Sequence, residues 1–137
     1  MMVNYKIVDI EGIGETYGAK LNRVGIATTG DLLQAAGTKT GRSKLAADTG
    51  LPESLILTWV NHADLMRIKG VGPQISELLE ASGVDTVKEL AQRNATNLHA
   101  KMQQVNDEYG LSGKVPSVAE LAEIIAAAGS MDAAVSH

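Results

Sequence analysis

Residues 10–21, IEGIGETYGAKL, and residues 68–79, IKGVGPQISELL, carry one pattern at two places in the chain. An offset of 58 residues lays Ile10 on Ile68, Gly12 on Gly70, Ile13 on Val71 and Gly14 on Gly72. The match continues with Leu21 on Leu79, Gly25 on Gly83, Ile26 on Val84, Thr28 on Thr86 and Leu32 on Leu90. Thr49-Gly50-Leu51 then matches Tyr109-Gly110-Leu111 with the register slipped by two. An internal repeat restricts the fold strongly, because each copy has to form the same supersecondary unit and bury its apolar stripe against a neighbour. The expected organisation is a single domain over residues 1–130, with halves at 3–62 and 63–130. The small polar stretch 131–137 reads as a disordered tail.

Within each half the pattern is helical. Gly14 and Gly72 supply a turn before a short helix, and Pro73 suits the first helical position of the second copy. Gly25 and Gly83 stand where left-handed C-caps would end that helix. Thr28-x-x-Asp31 and Thr86-x-x-Glu89 are capping-box patterns that start the next one. Two further short helices are expected over 41–49 and 53–62, separated by Gly50 and opened by Pro52. The second copy adds a longer helix near 95–109. A last helix follows Pro116, capped by Ser117 with Glu120 three residues on, and is expected to bury Val118, Leu121, Ala122 and Ile125. No segment alternates strongly enough for a strand, although NYKIVDI can pair briefly or pack along a groove. The fold class is all-α, with about eight short helices.

Composition supports that class. The chain has no Phe, one Trp and three Tyr among its 137 residues, and its apolar content is mostly Ala, Leu, Ile and Val. Such side chains suit closely packed helices better than a β-sandwich. The absence of Cys excludes disulfides, thiol catalysis and thiolate metal sites. No apolar run approaches the roughly 20 residues needed to cross a bilayer. The opening stretch MMVNYKIVDIEG lacks a signal-peptide core, so a cytoplasmic protein without membrane partners is expected. A net charge of −4 counts against a dedicated nucleic-acid binder. Residues 1–70 nevertheless hold eight Lys/Arg against seven Asp/Glu, and residues 71–137 hold four against nine. A polyanion would therefore meet the first half.

The glycine hairpins, each followed by G-h-x-T and another helix, resemble the helix-hairpin-helix superfamily. The stretch Gly25, Ile26, Thr28, Asp31, Leu32, Leu33 is also similar to the C-terminal domain of the bacterial RNA polymerase alpha subunit. Both halves resemble more closely an uncharacterised bacterial family with tandem hairpins. The resemblance implies two helix-hairpin-helix (SAM-like) halves related by a pseudo-twofold. In DNA-binding members the hairpin N–H groups and the second helix's N-terminus meet a phosphate, and in some members hairpin carbonyls hold a monovalent cation. The implied phosphate contacts here are Gly12, Gly14, Thr16 and Lys20, with Gly70, Gly72, Gln74 and Leu78 in the second copy. The physics is that of an anion at a helix N-terminus, strengthened by nearby basic side chains. The chain departs from that pattern. Glu15 places an acid where the phosphate would arrive, and the second copy has Glu77 and Glu80 where the first has Lys20 and Arg23. On this reading the first hairpin is impaired for DNA and the second, with only Lys69 nearby, is unfit.

Other candidate chemistry is sparse. GTKTGRSK, residues 37–44, lacks the spacing of a phosphate-binding nucleotide loop, and reads as a helix connection with Gly37 as a C-cap. Its Lys39, Arg42 and Lys44 form a basic cluster at a helix start. Together with Lys20 and Arg23 they are the candidate phosphate contacts outside the hairpin itself. His62, His99 and His137 are too scattered for a metal site, and none is expected. Glu77/Glu80 and Asp107/Glu108 read as solubilising faces. Trp59, on a stripe with Leu55, Ile56 and Val60, is either a core anchor between the halves or an exposed interaction anchor.

These features favour a non-enzymatic binding module without a cofactor, acting on a protein partner or on itself. The alternative is weak, sequence-nonspecific duplex binding through residues 12–44. An enzyme with unrecognised chemistry is the third class. The position of the five basic residues discriminates: convergence beside the first hairpin favours DNA, and scatter favours protein.

Overall fold

The computed structural model describes residues 4–137; the expected start of the first half, at residue 3, lies outside the described residues. The chain is all-helical. A 3-10 turn (Ile7–Asp9) leads into α1 (Gly14–Arg23), α2 (Thr29–Ala36), α3 (Lys39–Thr49) and α4 (Glu53–Leu65), followed by α5 (Pro73–Ala81), α6 (Val87–Leu90), α7 (Ala95–Tyr109) and α8 (Val118–Gly129). Among the described residues there is no strand, only one isolated antiparallel bridge between Lys6 and Thr28. That bridge is the brief pairing expected of NYKIVDI, with Thr29 N–H donating to the Tyr5 carbonyl and Ile7 N–H to the Ala27 carbonyl, both at 2.9 Å.

Local chemistry explains most helix ends. After α1, Ile26 N–H bonds back to Leu21 O and Gly25 N–H to Asn22 O. After α5, Val84 N–H reaches Leu79 O and Gly83 N–H reaches Glu80 O. Both are the paired bonds of a glycine C-cap. Gly50 and Gly110 close α3 and α7 in the same left-handed conformation. Thr28 with Asp31 and Ser117 with Glu120 form complete capping boxes. Thr86 receives the Glu89 N–H, but the cap is completed from elsewhere: Val87 N–H donates to Asp64 Oδ2 at 2.8 Å.

The core divides into two clusters that meet at the end of α4. The first gathers Ile7, Ile13, Leu21, Leu32, Ile56 and Trp59, and the second Leu65, Val71, Leu79, Val84, Met102 and Leu121. The handover falls between neighbours, since Leu65 faces the second cluster and Met66 the first. Every residue from 59 to 68 is buried, including His62, Asp64 and Arg67. Burying charge in this joint is tolerable only with partners, and Arg67 has one: its Nε donates to Asp64 Oδ1 at 2.9 Å.

Three expectations need correction. Helix α8 buries Leu121, Ile124 and Ala128, while Val118 and Ala122 are exposed and Ile125 is half-buried. Its sequence is apolar around most of its circumference, so periodicity alone does not choose the face. Trp59 is 2% exposed within the first cluster and tilts against Tyr17 with ring centroids 5.2 Å apart. It is therefore a core residue of the first half, not an exposed interaction anchor. Residues 131–137 are not a detached tail: Ala134 and Val135 pack on the first core, and Ser136 N–H donates to Gly37 O at 2.9 Å.

Candidate functional site

The two hairpins are built from equivalent residues but differ where a ligand would approach. Gly12 and Gly70 are both left-handed, at φ +89° and +95°. Gly14 is left-handed as well, at φ +62°, and is the first residue of α1. Gly72 is extended, at φ −93° and ψ −170°. The cause is the next residue, because the ring of Pro73 drives its predecessor out of the helical region. The first turn of α1 then presents Glu15, while that of α5 presents no acid. Glu15 already supplies the negative charge that the N-terminal end of α1 favours.

The basic residues do not converge on the first hairpin. Arg42 is 4% exposed, and its Nη1 donates to the Ala36 and Gly37 carbonyls at 3.1 and 3.0 Å. It caps the C-terminal end of α2 and is withdrawn from any phosphate. Lys20 and Arg23 are exposed, but both lie in the last turn of α1. With ~1.5 Å of rise per residue, Arg23 stands roughly 13 Å along the axis from the helix N-terminus. Lys39 and Lys44 are exposed on α3, which packs on α2 and α4, whereas α1 packs chiefly on the 3-10 turn. Thr16 is exposed, and its second-copy counterpart Gln74 is too. Leu78, the counterpart of Lys20, is fully buried and cannot contact a ligand.

A concavity opens beside the second hairpin. It is a cleft of about 890 Å³ bounded by Gly70–Gln74, the 112–116 loop, the outer edge of α8 and residues 9–11 of the first half. Ile124, Ala127 and Pro116 supply apolar surface, and Asp9, Glu11, Glu120 and Glu123 stand around it with Lys69 and Lys114. Its loop wall is fixed at several points. Asn106 donates to Ser112 O at 3.0 Å and accepts from Ser112 N–H at 2.9 Å. Gly113 N–H donates to Gln74 Oε1 at 3.2 Å. His99 Nδ1–H donates to Pro116 O at 2.9 Å, so this histidine is a loop anchor. Lys114 pairs with Glu120 at 3.4 Å across an exposed edge. The Ser117 N–H bond, with help from the Ser117 hydroxyl and Lys114, holds the Glu120 carboxyl below its usual range.

A second polar group lies at the joint between the halves, where buried His62 Nε2 meets Glu80 Oε2 at 2.6 Å. Glu80 is thus not a bare solubilising residue, and neighbouring Glu77 is raised above the usual carboxylate range by burial and by the Glu11 charge. His62 Nδ1 and Asn61 Oδ1 are buried without a partner. None of these residues opens into the cleft. Among the described residues no group of three or more His, Cys, Asp or Glu is arranged to hold a metal ion, and no helix is long and apolar enough to cross a membrane.

The sequence missed the cleft because its walls come from four separate segments. The available clue was Pro73-Gln74 in place of Glu15-Thr16, which leaves the second helix start without an acid.

Residues 11–131 match the family described as "Domain of unknown function (DUF4332)". That match spans most of the chain, and the chain belongs to this family. No curated protein and no solved structure matches it.

Proposed function

We propose that the protein is a non-enzymatic binding module of two helix-hairpin-helix halves related by a pseudo-twofold, and that it holds a protein segment in the cleft beside the second hairpin. The observation that carries this reading is the cleft itself: about 890 Å³, with an apolar lining and a charged border, on a wall pinned by side-chain hydrogen bonds. Concave sites of this size with a few fixed polar groups are where proteins usually hold ligands. Four carboxylates against two ammonium groups favour a basic segment with an apolar anchor. The same halves read as a DNA binder lack support at the first hairpin. There Glu15 adds negative charge to the first turn of α1, Arg42 is buried and Arg23 sits at the wrong end of α1.

Two titrations test this reading. Short peptides alternating Lys or Arg with Leu, followed by fluorescence anisotropy, are expected to bind saturably and to lose binding in Gly113→Trp. A side chain at Gly113 meets open space, so that variant obstructs the cleft without disturbing the fold. A labelled generic duplex in about 20–50 mM salt, where phosphate contacts are strongest, is expected to show no binding. Duplex binding that weakens steeply with salt and disappears in Lys20→Glu would replace this reading with the nucleic-acid one.

A further inference from the structure

Residues 132–136 lie as an extended strap across both halves of the molecule. Its main chain is held at three points. Arg67 Nη2 donates to Asp132 O at 3.0 Å, Arg42 Nη2 donates to Ser136 O at 2.7 Å, and Ser136 N–H donates to Gly37 O at 2.9 Å. Ala134 and Val135 face inward onto the first core, while Asp132, Ala133 and Ser136 are exposed. The strap passes so close over Gly37 that a Cβ there would lie 2.5 Å from the Ala134 carbonyl oxygen and 2.6 Å from that of Leu33. Gly37 has φ −65°, a conformation open to any residue. Contact, and not backbone angle, therefore excludes a side chain at this position.

The groove beneath the strap is set by contacts that do not involve it. Arg42 is fixed by the last carbonyls of α2, and Arg67 by Asp64. Each guanidinium then aims a further N–H at the strap, and both arginines are more than nine-tenths buried. If the strap left, each of these donors would lose its protein acceptor. What the groove holds here is the main chain at Asp132 and Ser136, with Ala134 and Val135 packed beneath it.

We propose that this groove is an exchangeable docking site, and that residues 132–136 of a second copy can occupy it in place of the chain's own. A second copy supplies the segment already shown to fit. The strap leaves α8 through a tight turn in which Ser130 and Met131 N–H bond to Ala127 and Ala128 at 3.2 Å. It belongs to no helix, so releasing it breaks none, and a hinge of this kind is a low-cost route to exchange.

Two full-length variants make the test. Val135→Asp puts a charge where the strap packs and so empties the groove; Gly37→Val blocks the groove and leaves the strap free. Each alone is expected to sediment as one 14.4 kDa chain. Mixed at up to about 1 mM, the effective concentration a short tether provides, they are expected to form a 1:1 complex. Folded variants that form none overturn the proposal. Should Gly37→Val fail to fold, a labelled peptide of residues 130–137 titrated with the Val135→Asp protein decides. Saturable binding, lost when the peptide carries the same Val→Asp change, supports the site. No binding, or equal binding of both peptides, overturns it. Neither measurement involves the cleft at the second hairpin, so Gly113→Trp is expected to leave both unchanged.

Discussion

At the first hairpin the chain turns left-handed at Gly14 and meets Glu15; at the second it runs extended through Gly72 into Pro73 and meets Gln74. The segments before them differ as well. The first hairpin is preceded by extended chain that pairs with residues 27–29, the second by the buried end of α4 with its Asp64–Arg67 pair. One repeated pattern thus reaches two physical states through a few neighbours. A proline resets one glycine, and an acid stands in the first turn of one helix. The half whose hairpin looks less suited to a ligand by its charges is the one that borders the cleft.

The strongest test of this difference is at the caps. Asp64 both pairs with buried Arg67 and receives the Val87 N–H. Asp64→Ala is expected to cost about 3–5 kcal/mol in urea unfolding, because it leaves a buried cation unpaired. Thr28→Ala removes only the half-buried first-half cap and is expected to cost about 1 kcal/mol. Equal losses would mean that the buried pair contributes nothing beyond an ordinary cap.

The glycines give the next test. Gly14→Ala forces a side chain into the left-handed region and is expected to cost roughly 1–2 kcal/mol. Gly72→Ala meets only the Tyr5 hydroxyl, 3.7 Å away, on an extended backbone. It is expected to be neutral, or stabilising by about 0.4–1 kcal/mol through the unfolded chain. Thermal melts of the two variants separate these outcomes, and a matching loss at both sites would erase the distinction drawn between the hairpins.

The smallest effect is in pH. Asp31, in the first half, is lowered by the Ala27 N–H bond and by Thr28, whereas Glu77, in the second, is raised by burial and by Glu11. The signs are opposite. The stability from Asp31 is present above the usual carboxylate range and is lost as pH falls through its lowered value. Ionising Glu77 costs stability as pH rises through its raised value. Asp31→Asn should therefore lower Tm at neutral pH, with the gap closing in acid. Glu77→Gln should raise Tm at neutral pH, with its gain fading in acid. A Tm series from about pH 3 to 7, spanning the carboxylate range, reads both, and gaps of the same sign would contradict this account.

Much of the helical layout was legible because it is decided locally. Residues 95–109 form α7 as read, and Ser117 with Glu120 caps α8. Gly25 and Gly83 close their helices because a cap needs only the chain within about one turn. The buried face of α8 was misread for the opposite reason: Val118, Ala122 and Ile125 are as apolar as Ile124 and Ala128, and only packing against α6 and α7 selects among them.

By itself, then, the sequence determined an all-helical chain with most of its turns and caps, since these follow from torsional preference and hydrogen bonds between near neighbours. Tertiary structure alone decided that Arg42 is a buried anchor and not a surface cation, that Trp59 belongs to one core, and that the cleft forms beside the second hairpin. The reason is separation along the chain. Arg42 meets Ser136 across 94 residues, Arg67 meets Asp132 across 65, and Gln74 meets Gly113 across 39. No local pattern encodes such meetings; they exist only once the helices have packed.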